Sequence, residues 1–165
     1  MSPRWRRFRK GSDDTLIVSL APEEFGLLSD LPDELREVFE APEGDAAARR
    51  LFPQAHLDPT EEEAEEWRAM VHPDLLRQRL DALELVTSSL SRVTENKNWR
   101  EIALTPDDVH AWLGVLNDTR LVLGTRLGIT EDEPDIDPDA PEARAYAIYY
   151  WLTHLQGELI EMLLG

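Results

Sequence analysis

The chain has 165 residues, of which 42% are apolar and 31% are charged, so we expect a single domain with its own core. Asp and Glu outnumber Lys and Arg by 34 to 17, and the resulting formal charge of −17 argues against nucleic acid and anionic lipid as partners. The absence of cysteine excludes disulfides, thiolate zinc sites, cysteine nucleophiles and thiol redox switches within these residues.

Residues 1–20 are predicted to form a basic β arm. A turn cluster at residues 11–14 separates a basic stretch from the β-branched run at residues 15–20, which is the pattern of a hairpin. Five of the 17 basic residues lie in this arm: Arg4, Arg6, Arg7, Arg9 and Lys10. They can contact phosphates at low salt or neutralise the acidic body, and we favour the second role. No apolar stretch of signal-peptide or membrane-span length follows, so we expect a cytoplasmic protein with no membrane segment.

Two predicted helices begin with the same pattern: a leucine that ends a strand is followed, after one residue, by a proline and two acids. The two stretches are Leu20-Ala-Pro-Glu-Glu and Leu104-Thr-Pro-Asp-Asp. Proline suits the first turn of a helix, and the acids suit the positive end of the helix dipole. We therefore expect one helix from residue 21, divided into two pieces at Pro32, and another that ends at Gly128.

The remaining elements follow from apolar spacing and from breaker residues. We predict a helical body over residues 21–128, followed by an acidic proline-rich loop at 129–141 and a C-terminal helix at 142–164. Within the helical body we expect an acidic segment at 58–66, with a capping box at Thr60–Glu63, and a helix at 74–91. A second candidate strand at 99–104 and a helix at 107–127 complete the body. The predicted fold is mainly α, a compact bundle of four to five main helices with a small N-terminal β-hairpin or short antiparallel sheet. All of it forms one domain, residues 1–165.

The sequence offers little support for catalysis or metal binding. The stretch Asp135-Ile-Asp137-Pro-Asp139 begins like a calcium loop, but Ala140 and Tyr146 stand where that loop needs glycine and a bidentate glutamate. The four histidines lack metal-protease spacing, and no nucleophile elbow or glycine-rich phosphate loop occurs. We therefore predict no catalytic residues, no metal and no cofactor.

A polar group interrupts the apolar pattern of the last two helices. Arg120 falls on the same stripe as Leu116, so its guanidinium should be buried and paired, and a helix–helix contact would set it against Glu158. The candidate polar cluster, structural or partner-binding, comprises Asn117, Asp118, Arg120, Arg126, His154 and Glu158. Three interpretations stay open: an ion pair that fixes helix register, a partner-recognition site with Arg120 and Arg126 as its anchors, and a small-molecule enzyme.

Aromatic residues are concentrated on the same two helices. Residues 146–152 are apolar almost all round, whereas a helix usually buries one stripe. Complete burial of the helix or a homodimer interface would account for the apolar residues that lie outside a single stripe. The candidates for an apolar interface are Trp112, Tyr149, Tyr150 and Trp151, with core packing as their default interpretation.

Several segments carry a family resemblance: Arg50-Leu-Phe-Pro-Gln-Ala-His56, Glu66-Trp-Arg68, the block from Ala111 to Gly128, and Tyr149-Tyr-Trp-Leu-Thr-His-Leu-Gln156. Together they resemble an actinobacterial family long labelled a domain of unknown function. The resemblance implies genes near the ClpS protease adaptor and near sulfur-carrier cysteine synthesis. Some members are described as oxidative-stress regulators that contact a sigma factor, with a cysteine pair as the sensor. This chain departs from that pattern because it has no cysteine.

The sequence therefore predicts a non-enzymatic cytoplasmic regulatory protein that acts through protein–protein contact, in the setting of stress-linked transcription control. Its acidic surface would attract a basic partner, such as a transcription factor or sigma factor. Two alternatives stay open. One is an adaptor or accessory factor in Clp-type regulated proteolysis, and the other is a small-molecule enzyme that uses Asn117, Arg120, His154 and Glu158.

Overall fold

The computed structural model describes residues 6–40, 46–51, 62, 66, 72–129 and 137–165. Its elements in chain order are β1 (Phe8–Lys10), β2 (Leu16–Leu20), α1 (Pro22–Phe39), α2 (Ala46–Leu51), α3 (His72–Ser91), β3 (Thr94–Asn96), β4 (Trp99–Leu104), α4 (Pro106–Leu127) and α5 (Ala143–Leu164). Four long helices and one short helix thus accompany four short strands in the described part of the chain. This confirms the predicted mainly α fold with a small sheet.

The four strands form one antiparallel sheet in the order β1-β2-β4-β3. Its central pair joins β2 to β4, with Val18 opposite Ile102 and Leu16 opposite Leu104. Alternate side chains of these strands turn toward the helices and are buried: Phe8, Leu16, Val18, Leu20, Ile102 and Leu104. The predicted strands at 15–20 and 99–104 are therefore confirmed, and β3 and β4 both come from the range predicted as helical body. The sequence prediction omits β3 because its three residues are all polar and exposed.

The outer face of the sheet carries a polar network around Glu101. Its carboxylate accepts hydrogen bonds from Asn96 Nδ2 at 2.8 Å and from Ser19 Oγ at 3.0 Å. Arg9 lies 2.5 Å from the same carboxylate and also donates to Ser19 Oγ. The hydrogen bonds from Asn96 and Arg9 hold the pKa of Glu101 below its ordinary value. The network ties β1, β2, β3 and β4 together across the solvent side.

Helix α1 runs unbroken through Pro32, so the predicted division at this residue is wrong. A proline inside a helix removes one backbone hydrogen bond and costs about 3 kcal/mol. Leu28, Leu31 and Leu35 are buried on the same face as Pro32. Each buried leucine contributes about 1.5–3 kcal/mol, so packing of this face outweighs the cost of the proline.

The two predicted helix starts are confirmed and are both capped by the third residue of the helix. Glu24 Oε1 accepts from Ala21 N at 2.9 Å, and Asp108 Oδ2 accepts from Thr105 N at 3.0 Å. Thr105 Oγ1 completes the second box by accepting from Asp108 N. The predicted stop at Gly128 is also confirmed, since this residue ends α4 in the left-handed conformation with φ of 66°.

The core lies between the sheet and the helices, and α4 is central to it. Helix α4 packs against α2, α3 and α5, while α1 covers β2 and β4. The fully buried side chains of the core include Leu83 of α3, Leu116 of α4 and three leucines of α5, Leu152, Leu155 and Leu159. No described helix has the length and apolar character needed to cross a bilayer. The capping box at Thr60–Glu63 and most of the acidic loop at 129–141 lie outside the described residues.

Candidate functional site

The predicted polar cluster does not converge on one point, because its members face different partners. Asp118 is buried on the side of α4 that meets α3, where it forms an ion pair with Arg79. Arg79 also donates to the carbonyl oxygen of Leu51 at 2.9 Å. Burial raises the pKa of Asp118 above its ordinary value, and the Arg79 guanidinium opposes that rise. This pair joins α2, α3 and α4 from within.

Arg120 is partly buried, as its position on the apolar stripe predicts, but its partner differs from the prediction. Its Nη1 donates to Gln156 Oε1, and its guanidinium carbon lies 5.9 Å from the centre of the Tyr149 ring. Among the described residues, Arg120 Nε has no hydrogen-bond acceptor. The predicted contact with Glu158 is therefore wrong: α4 crosses α5 so that Gln156, two residues earlier, faces Arg120.

Glu158 instead belongs to a cluster that sequence reasoning missed, at the junction of the β arm with α1 and α5. Arg7 Nε lies 3.3 Å from Glu158 Oε2, and Arg7 Nη1 lies 2.5 Å from Glu24 Oε2. Trp151 Nε1 donates to the same Glu24 oxygen at 2.7 Å. The side chains of Arg7 and Glu24 are only 14% and 19% exposed. We call these four residues, Arg7, Glu24, Trp151 and Glu158, the arm junction.

A second junction of the same type stands at the start of α4. Asp108 is buried, and its Oδ2 lies 2.5 Å from Arg92 Nη2 in addition to capping the helix. The two helices that share the Leu-x-Pro-acid-acid pattern thus both use their third residue twice, once as a cap and once as an ion-pair partner. The shared pattern predicts the cap at each helix start. It does not predict the ion pair, because the partners Arg7 and Arg92 are identified only by the fold.

The other members of the predicted cluster are exposed. Asn117, Arg126 and His154 face solvent, and His154 is not brought to Arg120. Burial and the neighbouring Asp30 raise the pKa of Glu34 in α1 above its ordinary value. Arg126 lies close enough to that carboxylate to oppose the rise. The exposed acids Asp30, Glu34 and Glu37 follow helical spacing along α1, and we call them the acidic stripe.

The aromatic candidates divide into core and part-buried groups. Trp112 is 1% exposed and donates from Nε1 to Ser89 Oγ at 2.8 Å, so it packs in the core, as its default interpretation predicts, and is not part of an exposed apolar surface. Its side chain faces α3 across the core, where burial of an indole requires such a partner. Tyr149 and Tyr150 make an edge-to-face contact with ring centres 5.4 Å apart, and both are half-buried, as is Trp151. The homodimer interface predicted for them stays a prediction.

A groove runs between β1 and the end of α5. It has a volume of about 850 Å³ and is lined by residues 6–10 on one side and by Glu158, Glu161, Met162 and Gly165 on the other. We call it the arm groove. It shares Lys10, Met162 and Gly165 with a second groove of about 560 Å³, whose lining also includes Leu16, Val109, Leu113 and Leu163. Basic side chains therefore border an apolar depression on an otherwise acidic protein.

Metal ligands do not gather in the described residues, where no group of three His, Asp or Glu side chains is placed to hold an ion. Of the stretch that begins like a calcium loop, Asp135 lies outside the described residues, while Asp137 and Asp139 are exposed. The prediction that no metal is bound stays a prediction.

Comparison with known proteins places the chain in a family. Two relatives named "Oxidative stress regulator AosR", from Mycobacterium tuberculosis (strain ATCC 25618 / H37Rv) and Mycobacterium bovis (strain ATCC BAA-935 / AF2122/97), are each 30% identical to it over 99% of this chain and 84% of their own length. No solved structure matches the chain. Residues 2–163 match the family described as "Domain of unknown function (DUF2017)". The chain belongs to this family, as the resemblance noted from its sequence predicts.

Proposed function

We propose that this protein is a non-enzymatic cytoplasmic regulator that acts by binding another protein. The observation that carries the proposal is the relationship to proteins named oxidative stress regulators, which extends over 99% of the chain. A relationship of this extent covers the sheet, the core helices and both junctions rather than one shared module. The regulatory role is therefore assigned to the whole fold.

The use of the polar residues supports contact rather than catalysis. Asp118 is engaged by Arg79, Arg120 by Gln156 and Glu158 by Arg7. A catalytic group has to lie within hydrogen-bond reach of a reacting atom and of its own partner. Here the side chains instead connect elements of the fold to one another. The geometry thus gives the enzyme alternative less support than the regulatory one.

The charge of the surface indicates the chemistry of the partner. The chain carries a formal charge of −17, and the acidic stripe of α1 is exposed. Burial and the neighbouring carboxylates raise the pKa of Glu34, so like charges crowd this face. A basic protein segment would relieve that repulsion on binding and would be steered toward the stripe at low salt. A basic region of a transcription factor has this chemistry.

The test compares two triple variants in affinity purification from the organism's own lysate. The stripe variant carries Asp30→Asn, Glu34→Gln and Glu37→Gln, and the control variant carries Glu95→Gln, Asp139→Asn and Glu142→Gln at exposed positions elsewhere. Both remove three charges, so they differ only in where the charges are lost. We expect the wild type and the control to retain one stoichiometric basic partner at about 50 mM salt, where screening is weak. The stripe variant should lose it.

Two results would count against the proposal. If the wild type retains no stoichiometric partner at low salt, regulation by protein contact has no support. If both triple variants lose the partner equally, binding follows net charge alone and the stripe has no special role.

A further inference from the structure

Strand β1 is an edge of the sheet, and the arm groove follows that edge. In the part of the chain that the structure describes, the strand order places β2 on one side of β1 and no strand on the other. Five consecutive residues, Arg6 to Lys10, line the groove. Since successive side chains of a strand point to opposite faces, a groove that touches all five runs along the backbone edge rather than over one face.

The hydrogen-bond pattern shows which backbone groups of β1 face the groove. Arg7 O accepts from Ser19 N at 2.8 Å, and Gly11 N donates to Thr15 O at 2.9 Å. In an antiparallel pair, alternate residues direct both backbone groups to the same side, so Arg7, Arg9 and Gly11 face β2. Phe8 and Lys10 therefore direct their N–H and C=O groups away from β2, into the arm groove. An edge of this kind is a template for another strand.

The side chains beside this edge determine which charged and apolar residues an added strand would carry. Phe8 is buried, whereas Arg6 and Lys10, two positions to either side of it, are exposed. The ion pairs in the described part of the chain include neither Arg6 nor Lys10, whereas Arg7 engages Glu158 on the groove wall. Met162 of α5 supplies an apolar contact across the groove. Two cations therefore flank one apolar position.

We propose that the arm groove binds an extended segment of a partner protein, which adds to β1 as a fifth strand of the sheet. The chemistry of the groove specifies the pattern acid-x-apolar-x-acid, with the apolar residue beside Phe8 and Met162 and the carboxylates toward Arg6 and Lys10. Main-chain hydrogen bonds to Phe8 and Lys10 give affinity, and the alternate side chains give specificity. This surface is separate from the acidic stripe, prefers the opposite charge and is tested independently of it.

The first test uses a fluorescein-labelled, acetylated peptide, Thr-Glu-Thr-Val-Thr-Glu-Thr, and a matched peptide with lysines in place of the glutamates. Fluorescence polarisation with the full chain at about 50 mM salt should show saturable binding of the glutamate peptide only, since screening is weak there. Lys10→Glu and Arg6→Glu should each weaken binding about tenfold, the change expected from reversing one close charge. Lys97→Glu is the control, because Lys97 is the other lysine of the chain, is exposed and lies in the turn between β3 and β4.

The second test separates strand addition from attraction between charges. In an added strand, one alternate set of peptide N–H groups faces β1 and the other faces away. Methylation of one set of peptide nitrogens should therefore abolish binding, while methylation of the other set should leave it. The charge of the peptide is the same in both.

Three outcomes would overturn the proposal. The first is no saturable binding of the glutamate peptide to the wild type, and the second is equal binding of the two methylated peptides. The third is binding of a dT12 oligonucleotide that Lys10→Glu abolishes, with no peptide binding, since the arm would then be a phosphate site. Circular dichroism of each variant confirms that a loss of binding is not a loss of fold.

Discussion

Glu24 and Trp151 are joined by a hydrogen bond of 2.7 Å that spans 127 residues of sequence. The Glu24 carboxylate also caps α1 and holds Arg7, so one side chain connects the β arm, α1 and α5. Since both Glu24 and Arg7 are mostly shielded from solvent, removal of the carboxylate takes one acceptor from the Arg7 guanidinium and takes the Glu24 acceptor from the Trp151 indole.

We expect Glu24→Ala to lower the free energy of unfolding by about 3 kcal/mol, because a cap and two charge-assisted contacts are lost together. Glu23→Ala removes a neighbouring acid that is exposed, and we expect it to cost no more than about 0.5 kcal/mol. Urea unfolding of both variants gives the comparison. Equal effects of the two substitutions would show that the arm junction does not stabilise the fold.

A double-mutant cycle distinguishes the observed partner of Arg120 from the predicted one. Arg120→Ala and Gln156→Ala remove two ends of one hydrogen bond, so their effects on the free energy of unfolding should be coupled by about 1 kcal/mol. Arg120→Ala and Glu158→Ala act on separate contacts and should be additive within about 0.5 kcal/mol. Coupling to Glu158 but not to Gln156 would contradict the geometry.

The buried hydrogen bond from Trp112 to Ser89 predicts an ordered set of stabilities. Ser89→Ala leaves the indole N–H buried without its acceptor and should cost about 2 kcal/mol. Adding Trp112→Phe removes that unsatisfied donor, so the double variant should be less destabilised than the sum of its two single substitutions. Thermal unfolding followed by far-UV circular dichroism measures all three. Strict additivity would mean that the indole finds another acceptor.

Glu101 should make the stability of the fold depend on pH. Its pKa is lower in the folded chain than its ordinary value of 4.5, so the native state binds the proton less readily than the unfolded state. The stabilisation is therefore present above pH 4.5 and is lost as the pH falls through the lowered pKa. Glu101→Gln should be less stable than the wild type at pH 7, and the difference should shrink in acid. A difference independent of pH would exclude this linkage.

Asp118 should show the opposite dependence. Burial raises its pKa above the ordinary value of 3.8, so the native state binds the proton more readily than the unfolded state. Its contribution to the free energy of unfolding therefore falls as the pH rises from 3.8 through the raised pKa. Asp118→Asn cannot ionise, so its stability relative to the wild type should increase over that window. Denaturant titrations at several pH values check the sign.

The local features of this fold could be predicted from the sequence. Proline and two acids after a strand predict where α1 and α4 begin, and Gly128 predicts where α4 ends, because these rules depend on a few adjacent residues. The stretch from Trp99 to Leu104 predicts β4 for the same reason. Pro32 misleads because its local cost is outweighed by burial, which depends on the rest of the molecule.

Contacts between distant elements could not be predicted in this way. The stripe that carries Arg120 predicts a buried guanidinium, but the choice between Gln156 and Glu158 depends on how α4 crosses α5. Trp112 and Trp151 look alike in sequence, yet one fills the core and the other reaches Glu24. The arm groove was missed because an edge strand is recognised only when the order of strands is known.

The contact between Arg7 and Glu158 spans 151 residues, nearly the whole chain, and has a consequence for biosynthesis. Synthesis proceeds from the N-terminus, so the β arm emerges well before α5. The arm can pair with β4 only after residue 104 is made, and the arm junction can close only when α5 has left the ribosome. A nascent or truncated chain without α5 would meanwhile expose the apolar face that this helix covers with Leu152, Leu155 and Leu159. Formation of α5 is therefore required before the arm junction can close and the apolar face beneath this helix is covered.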